Sequence, residues 1–274
     1  YFIFIILWVT VVYAPVAHWV WGGGWLGDVG ALDFAGGTVV HINSGVAALA
    51  AALIVGKRIG FTGSSTTPHN VPMVVLGAGL LWFGWFGFNA GSALAADGTA
   101  VNAFVVTNTA AAAAVVTWVI VSWIVGKKPS VVGAATGAVA GLVAITPAAG
   151  FVGPMPALII GIGAGVLCYL AVELLLKLNI DDALAVFGVH GIGGVWGALA
   201  TGLFVGVGFG ALDVGRGEQV LNQLIAIVAT LVWSFVATSV ILLAIKYTIG
   251  LRAEESDEQA GLDQSIHGEE AYTS

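Results

Sequence analysis

Eight apolar runs, each twenty residues or longer, make up most of the chain: about 2–21, 34–56, 71–95, 101–126, 131–150, 155–177, 183–209 and 220–247. A helix of about 20 residues crosses the ~30 Å hydrocarbon layer of a bilayer. Within that layer only a helix or a closed barrel pairs its own backbone polar groups. Runs of this length and number predict an all-α polytopic membrane protein. The 59% hydrophobic and 8% charged composition, with a mean hydropathy of +1.01, excludes an ordinary soluble domain of this size. Turn residues punctuate the runs: Gly22, Gly23 and Gly24; the loop 57–70 with Pro68; Ala96, Asp97 and Gly98; Lys127, Lys128 and Pro129; Gly153 and Pro154; 179–182; and the glycine-rich 206–217.

The basic residues orient these crossings. Lys57, Arg58, Lys127, Lys128, Lys177, Lys246 and Arg252 follow the second, fourth, sixth and eighth runs, and only Arg216 falls on the other side. Basic loops stay on the cytoplasmic face, so the distribution predicts a multi-pass protein of the cell membrane with an even span count and a cytoplasmic C-terminus. Of the net charge of −7, the segment 250–274 supplies −6, from seven acids and one arginine. The chain therefore divides into a nearly neutral membrane domain, 1–249, and an acidic tail, 250–274. Nucleic acid is not an expected partner. Cys168, the single cysteine, lies within a run and reads as packing, with no disulfide framework or cysteine metal cluster.

Two histidines interrupt the apolar runs at matched places. D-F-A-G-G-T-V-V-H-I-N-S-G (33–45) and D-A-L-A-V-F-G-V-H-G-I-G-G (182–194) each put a histidine, His41 and His190, eight residues after an aspartate. Eight helical residues rise about 12 Å, which brings each imidazole near mid-membrane. The second run descends toward the basic face and the seventh ascends from it, so the two motifs enter from opposite sides. That is the sequence signature of an inverted repeat with its site at the repeat interface. An ionisable group at that depth marks a transport or relay route by default. A simple bond across a helix pair and bis-histidine haem ligation are the alternatives. Gly37, Ser44 and Gly45 flank one histidine and Gly191, Gly193 and Gly194 the other, with further small-residue stretches at 137–141 and 161–165. Such residues let helix backbones approach closely.

Longer motifs carry a resemblance. Y-A-P-V-A-H-W-V-W-G-G-G (13–24), the first Asp-to-His segment, H-N-V-P-M-V-V-L-G (69–77), G-W-F-G-F-N-A-G-S (84–92), F-G-V-H-G-I-G-G (187–194) and the tail G-L-D…H-G-E-x-A-Y (261–272) together resemble the ammonium transporter (Amt/MEP/Rh) family. The G-W-F-G-F-N-A-G-S motif and the tail point to its prokaryotic Amt branch. The resemblance implies an inverted-repeat fold of eleven spans, a homotrimer with one pore per subunit, and ammonium or ammonia as the permeant species. Eight spans are present here and Tyr1 stands inside the first, so the sequence reads as a fragment lacking three spans and the outer-gate phenylalanine they carry. No cofactor, metal or enzymatic activity is implied.

The same resemblance assigns roles. Trp21 and Ser92 belong to an outer site, where an indole face attracts a cation and a hydroxyl accepts an ammonium proton. On its own Trp21 would read as an interfacial anchor. Phe88 resembles a surviving member of the pore-closing aromatic pair and Trp85 a wall residue, although both would otherwise read as ordinary helix faces. His41 and His190 resemble the family's twin histidines, which contact ammonia while relaying a proton; burial among apolar side chains should keep both neutral. Asp33 aligns with the family's buried aspartate, either capping a helix from Phe34 or acting electrostatically. Asp182 reads as a helix cap, and Ala185 stands where the family often has another acid. His18, His69 and His267 receive no substrate role. Gly261, Asp263, His267 and Tyr272 match a regulatory tail motif that, in prokaryotes, helps receive a PII-type signalling protein. The rival readings are a Rh-like channel for neutral gas, an ammonium sensor of the same fold, and a haem-binding electron-transfer subunit.

Overall fold

The computed structural model describes residues 1–64, 68–126 and 128–270, so Lys127 of the basic loops and Tyr272 of the tail motif lie outside the described residues. Among the described residues, eight helices occupy the eight apolar runs: α1 (Phe2–Asp28), α2 (Gly37–Val55), α3 (Val71–Gly91), α4 (Gly98–Gly126), α5 (Val131–Ile145), α6 (Pro154–Lys177), α7 (Phe187–Phe204) and α8 (Arg216–Thr248). Seven are long and apolar enough to cross a membrane, and α5 is the short one. A tail helix, α9 (Glu255–Ala260), follows. Among the described residues there is no strand.

Local chemistry sets several helix ends. The Asn70 side chain accepts from the Met73 amide at 3.0 Å, with Pro72 in the first turn, and Ser130 likewise caps α5 through the Gly133 amide at 3.1 Å. The fifth run, expected to continue to 150, leaves the helix at Ile145. Pro147 has no N–H to offer the Val143 carbonyl. The chain instead closes through tight turns, Thr146 N–H donating to Val143 O, Ala148 to Ile145 O and Phe151 to Ala148 O. The helix α1 is continuous to Trp21, breaks at Gly23 (φ +76°), and ends in a short turn, Trp25–Asp28.

Both small-residue stretches close on one neighbour. A Cβ on Gly141 would lie 2.5 Å from the Ala110 carbonyl oxygen of α4, and one on Gly161 would lie 2.3 Å from the same atom. Gly137 and Gly165 meet the Ala114 carbonyl one turn on. Helix α4 is thus clamped between α5 and α6 at backbone distance, and this contact centres the largest buried cluster, with Leu142, Val143, Ile145 and Ile160. On the other side α8, 33 residues or about 50 Å long, packs along α2 and α7. Its buried Gln223 donates to Leu32 O at 2.8 Å and Ala198 O at 3.0 Å and accepts from Leu32 N–H at 2.7 Å. This fixes the irregular chain that leads into α2.

Candidate functional site

The two Asp-to-His segments share one backbone design. Neither aspartate lies in a helix. After Asp33 the chain turns through Gly36 (φ +118°) and α2 begins at Gly37; after Asp182 it turns through Ala185 (φ +54°) and α7 begins at Phe187. The expectation that the first helix starts at Phe34, with eight helical residues from aspartate to histidine, is corrected: a looped carboxylate nest precedes the helix. Asp33 accepts from Gly36, Gly37, Thr38 and Val39 amides at 2.6 to 3.1 Å and from the Thr38 hydroxyl at 2.5 Å. Asp182 accepts from Val186, Phe187 and Gly188 amides at 2.8, 2.8 and 3.2 Å. Both carboxylates satisfy the first N–H groups of a helix, where negative charge is favoured. Burial raises the Asp182 pKa, and its three amide donors pull it back.

Each histidine then sits in a widened, π-helical turn, Gly37–Ile42 and Phe187–Gly191; the His41 amide donates to Gly36 O, five residues back, at 2.9 Å. Such turns recur at functional sites because they re-aim a side chain without ending the helix. The two spans cross where they have no side chains. A Cβ on Gly45, four residues after His41, would lie 2.2 Å from the nitrogen of Gly191, the residue after His190. A Cβ on Gly194, four residues after His190, would lie 3.0 Å from the nitrogen of Ile42, the residue after His41. This reciprocal contact is a local two-fold, and it brings the imidazoles together with Nδ1 of His190 3.2 Å from Nδ1 of His41. The pair is closed on itself, and among the described residues no group of three potential metal ligands gathers.

Aromatic and hydroxyl groups hold His41, which is 2% exposed. Its ring stacks on Trp85 at 5.4 Å and on Phe88 at 6.0 Å, and these two rings touch each other at 5.3 Å. Its Nε2 lies 3.3 Å from the Thr146 hydroxyl, which also accepts from the Trp85 indole at 3.0 Å and donates to Leu142 O at 2.7 Å. Thr146 escapes a reading of the sequence, since a threonine at the end of an apolar run is unremarked; Pro147, which ends α5 there, was the available signal. Toward the non-basic end, the Trp21 indole donates to the Asp33 backbone carbonyl at 2.8 Å with its ring nearly half exposed. Ser92 closes α3 and donates to Phe88 O at 2.9 Å, which leaves its oxygen lone pairs available. Trp21 and Ser92 share no hydrogen bond among the described residues. The structure therefore joins His41, His190, Trp85 and Phe88 in one contact group and leaves Trp21 and Ser92 outside it.

At the basic end the structure adds a pair not foreseen from sequence. Arg58, after α2, donates to Asp181 through Nη2 at 2.6 Å, Nε at 2.9 Å and its own amide at 2.8 Å. The guanidinium hydrogen bonds hold the Asp181 carboxyl below its usual range, and the same bonds raise Arg58. Next door, Glu258 of α9 pairs with Arg252, and both line one cavity with Ile59 of the loop that carries Arg58. Gly261 (φ +99°) ends α9, and a Cβ there would meet Asp263 Oδ1 at 2.8 Å. Asp263 and His267 bound the following turn, both exposed.

Crossed, oppositely directed spans joined through a buried imidazole pair define a polytopic helical membrane protein of the inverted-repeat class. The chain belongs to the Ammonium Transporter Family, whose sequence model matches residues 1–272. It is 54% identical to the ammonium transporter of Bacillus subtilis, over 99% of this chain and 68% of that protein. Its fold is similar to the crystal structure of Candida albicans Mep2, with a TM-score of 0.86, 43% identity, and coverage of 93% of this chain and 60% of that one. A solved sensor Amt protein is also similar, with a TM-score of 0.89, 36% identity, and coverage of 94% and 67%. The chain thus spans about two thirds of the length of these relatives.

Proposed function

We propose that this chain forms the conducting part of an ammonium/ammonia transporter of the cell membrane, with its tail on the cytoplasmic side. The observation that carries the reading is the direct Nδ1 to Nδ1 contact of His41 and His190 at a glycine-lined crossing of two inverted spans. Carrying a bare cation through a low-dielectric centre costs far more than carrying ammonia. A cation is drawn to the exposed indole face of Trp21 and the Ser92 oxygen, gives up its proton, and passes Phe88 and Trp85 as ammonia. The histidine pair provides hydrogen-bond partners and a proton route along the lumen. Asp33 contributes by holding the start of α2 and, through its carbonyl, the Trp21 indole. In this reading subunits assemble as a homotrimer, and the tail, through Gly261, Asp263, His267 and Tyr272, is a regulatory surface that a PII-type protein can engage.

The test is uptake of ammonium or methylammonium into cells lacking their own transporters, with surface expression measured in parallel. Replacing His41 or His190 by alanine should reduce selective uptake to background at normal expression. Wild-type uptake by both variants would remove the pair from the mechanism. A second reading, an ammonium sensor, draws on the similarity to the sensor Amt protein. It predicts ligand-dependent signalling with negligible uptake in the same cells.

A further inference from the structure

We propose that Thr146 sets the tautomers of the histidine pair and so gives it a direction. A threonine hydroxyl carries one proton and two acceptor lone pairs. The Thr146 proton is committed to Leu142 O, four residues back, at 2.7 Å. One lone pair receives the Trp85 indole, which can only donate, at 3.0 Å. The other faces Nε2 of His41 at 3.3 Å. Two acceptors cannot pair, so Nε2 of His41 carries the hydrogen and, in the neutral ring, Nδ1 is bare. That bare Nδ1 faces Nδ1 of His190 at 3.2 Å, which must therefore be the donor. Nε2 of His190 is then left as an acceptor, and no hydrogen bond reaches it among the described residues.

The order is one-way: His190 donates to His41, His41 to Thr146, and Thr146 to Leu142. Every nitrogen of His41 is used, and Thr146 is 0% exposed, so no water competes for its hydroxyl. Across the pair, the one proton acceptor without a hydrogen-bond partner among the described residues is Nε2 of His190. Reversing the pair requires the Thr146 hydroxyl to leave Leu142 O and turn to His41, which would leave a buried carbonyl unpaired at a penalty of about 1–3 kcal/mol, roughly a five- to 150-fold preference. Thr146 is a positioning residue: it acts through His41 and need not touch the permeant species. The tautomer assignment stands on this geometry alone, and its meaning for conduction rests on the proposed role of the pair.

The experiment is ¹⁵N solid-state NMR of the histidine rings of the full chain in liposomes without substrate. His18, His69 and His267 are replaced by glutamine so that only the pair reports. The expected spectrum has a protonated Nε2 and bare Nδ1 on His41, with the opposite arrangement on His190. Thr146→Val keeps the shape and removes the hydroxyl; it should reduce the His41 preference by roughly tenfold, and Thr146→Ser should restore it. A parental spectrum with bare Nε2 on His41, or a Thr146→Val spectrum indistinguishable from the parent, overturns the proposal. If the valine variant fails to fold, the parental spectrum decides alone. Because no flux is measured, a protein that transports nothing can still pass this test, so its failure is separate from failure of the transport reading.

Discussion

The two Asp-to-His segments are built alike and restrained unequally. Each has a carboxylate nest, a left-handed residue, a widened helical turn, a histidine, and a glycine four residues later that meets the other span. In the first segment Asp33 is 7% exposed with five donors, and His41 is bonded on both nitrogens and stacked on two rings. In the second, Asp182 has three donors and His190 bonds, among the described residues, to His41 alone. The backbone therefore delivers the pseudo-symmetry, and the side chains brought in from α3 and α5 break it. The lesson is that one repeat unit can be held by many side-chain contacts and its counterpart by few, while their backbones stay alike.

The sharpest way to break the comparison is at the crossing. Gly45→Ala should destabilise the protein most, by about 3 kcal/mol, because its methyl would meet the Gly191 backbone, which cannot move aside as a side chain would. Gly194→Ala, whose methyl would lie 2.9 Å from Ile42 Cγ1 and 3.0 Å from the Gly37 oxygen and Ile42 nitrogen, should be milder, because the overlap at Gly45 is deeper, 2.2 Å from the Gly191 nitrogen. Thermal unfolding of both variants in detergent checks the order, and equal losses would mean that the two halves are equally rigid.

Next in size is the nest. Asp33→Asn replaces an acceptor of five hydrogen bonds by a group that presents a donor to the same amides, and about 2–4 kcal/mol should be lost. Asp182→Asn, with three donors and part exposure, should lose about 1–2 kcal/mol. A larger loss at Asp182 would reverse the order of restraint between the two segments.

Acidification probes the basic end, where neighbouring carboxyls respond in opposite directions. The folded Asp181 pKa is lowered by Arg58, so its stabilisation is fully present above the unfolded value near 4 and is lost as pH falls through the folded value. The advantage of the parent over Asp181→Asn, about 1 kcal/mol after allowing for the half-exposed guanidinium, should therefore shrink below about pH 4. Asp182, raised by burial, follows the other sign: its contribution is fully present below the unfolded value and declines as pH rises through its folded one. Melting curves from pH 6 to 3 measure both, and a parent advantage over Asp181→Asn that stays flat to pH 3 would show that the ion pair adds nothing.

The smallest effect tests the left-handed turns. Ala185→Gly removes strain at φ +54° and should raise stability by at most about 1 kcal/mol, whereas Gly36→Ala (φ +118°), whose Cβ would lie 2.5 Å from Val40 Cγ2, should lower it. A gain at both positions would show that only one turn differs from the other by accident of sequence.

Much of this architecture was legible beforehand. Hydropathy located the eight helices to within a few residues, since a ~30 Å apolar layer leaves so few ways to satisfy a backbone. The eight-residue offset found both histidines, because a polar group in an apolar run has no reason to be there except a partner. Asp182 was anticipated as a cap and Asp33 as a cap or an electrostatic group, neither as the centre of a nest. Their loops went unseen because Gly36 and Ala185 take left-handed conformations that no periodicity announces. Arg58–Asp181 joins residues 123 positions apart, and each alone looked like an ordinary loop charge.

By itself, then, the sequence determined what must cross the membrane, which groups interrupt it, and which glycines permit close approach, because these depend on the solvent and on local sterics. Tertiary structure alone decided that Gly45 meets Gly191, that Trp85 and Phe88 stack on His41, and that one hydroxyl from the end of α5 faces Nε2. Hydrogen-bond direction depends on which donors and acceptors arrive at a shared atom, and at Thr146 they arrive from three different spans.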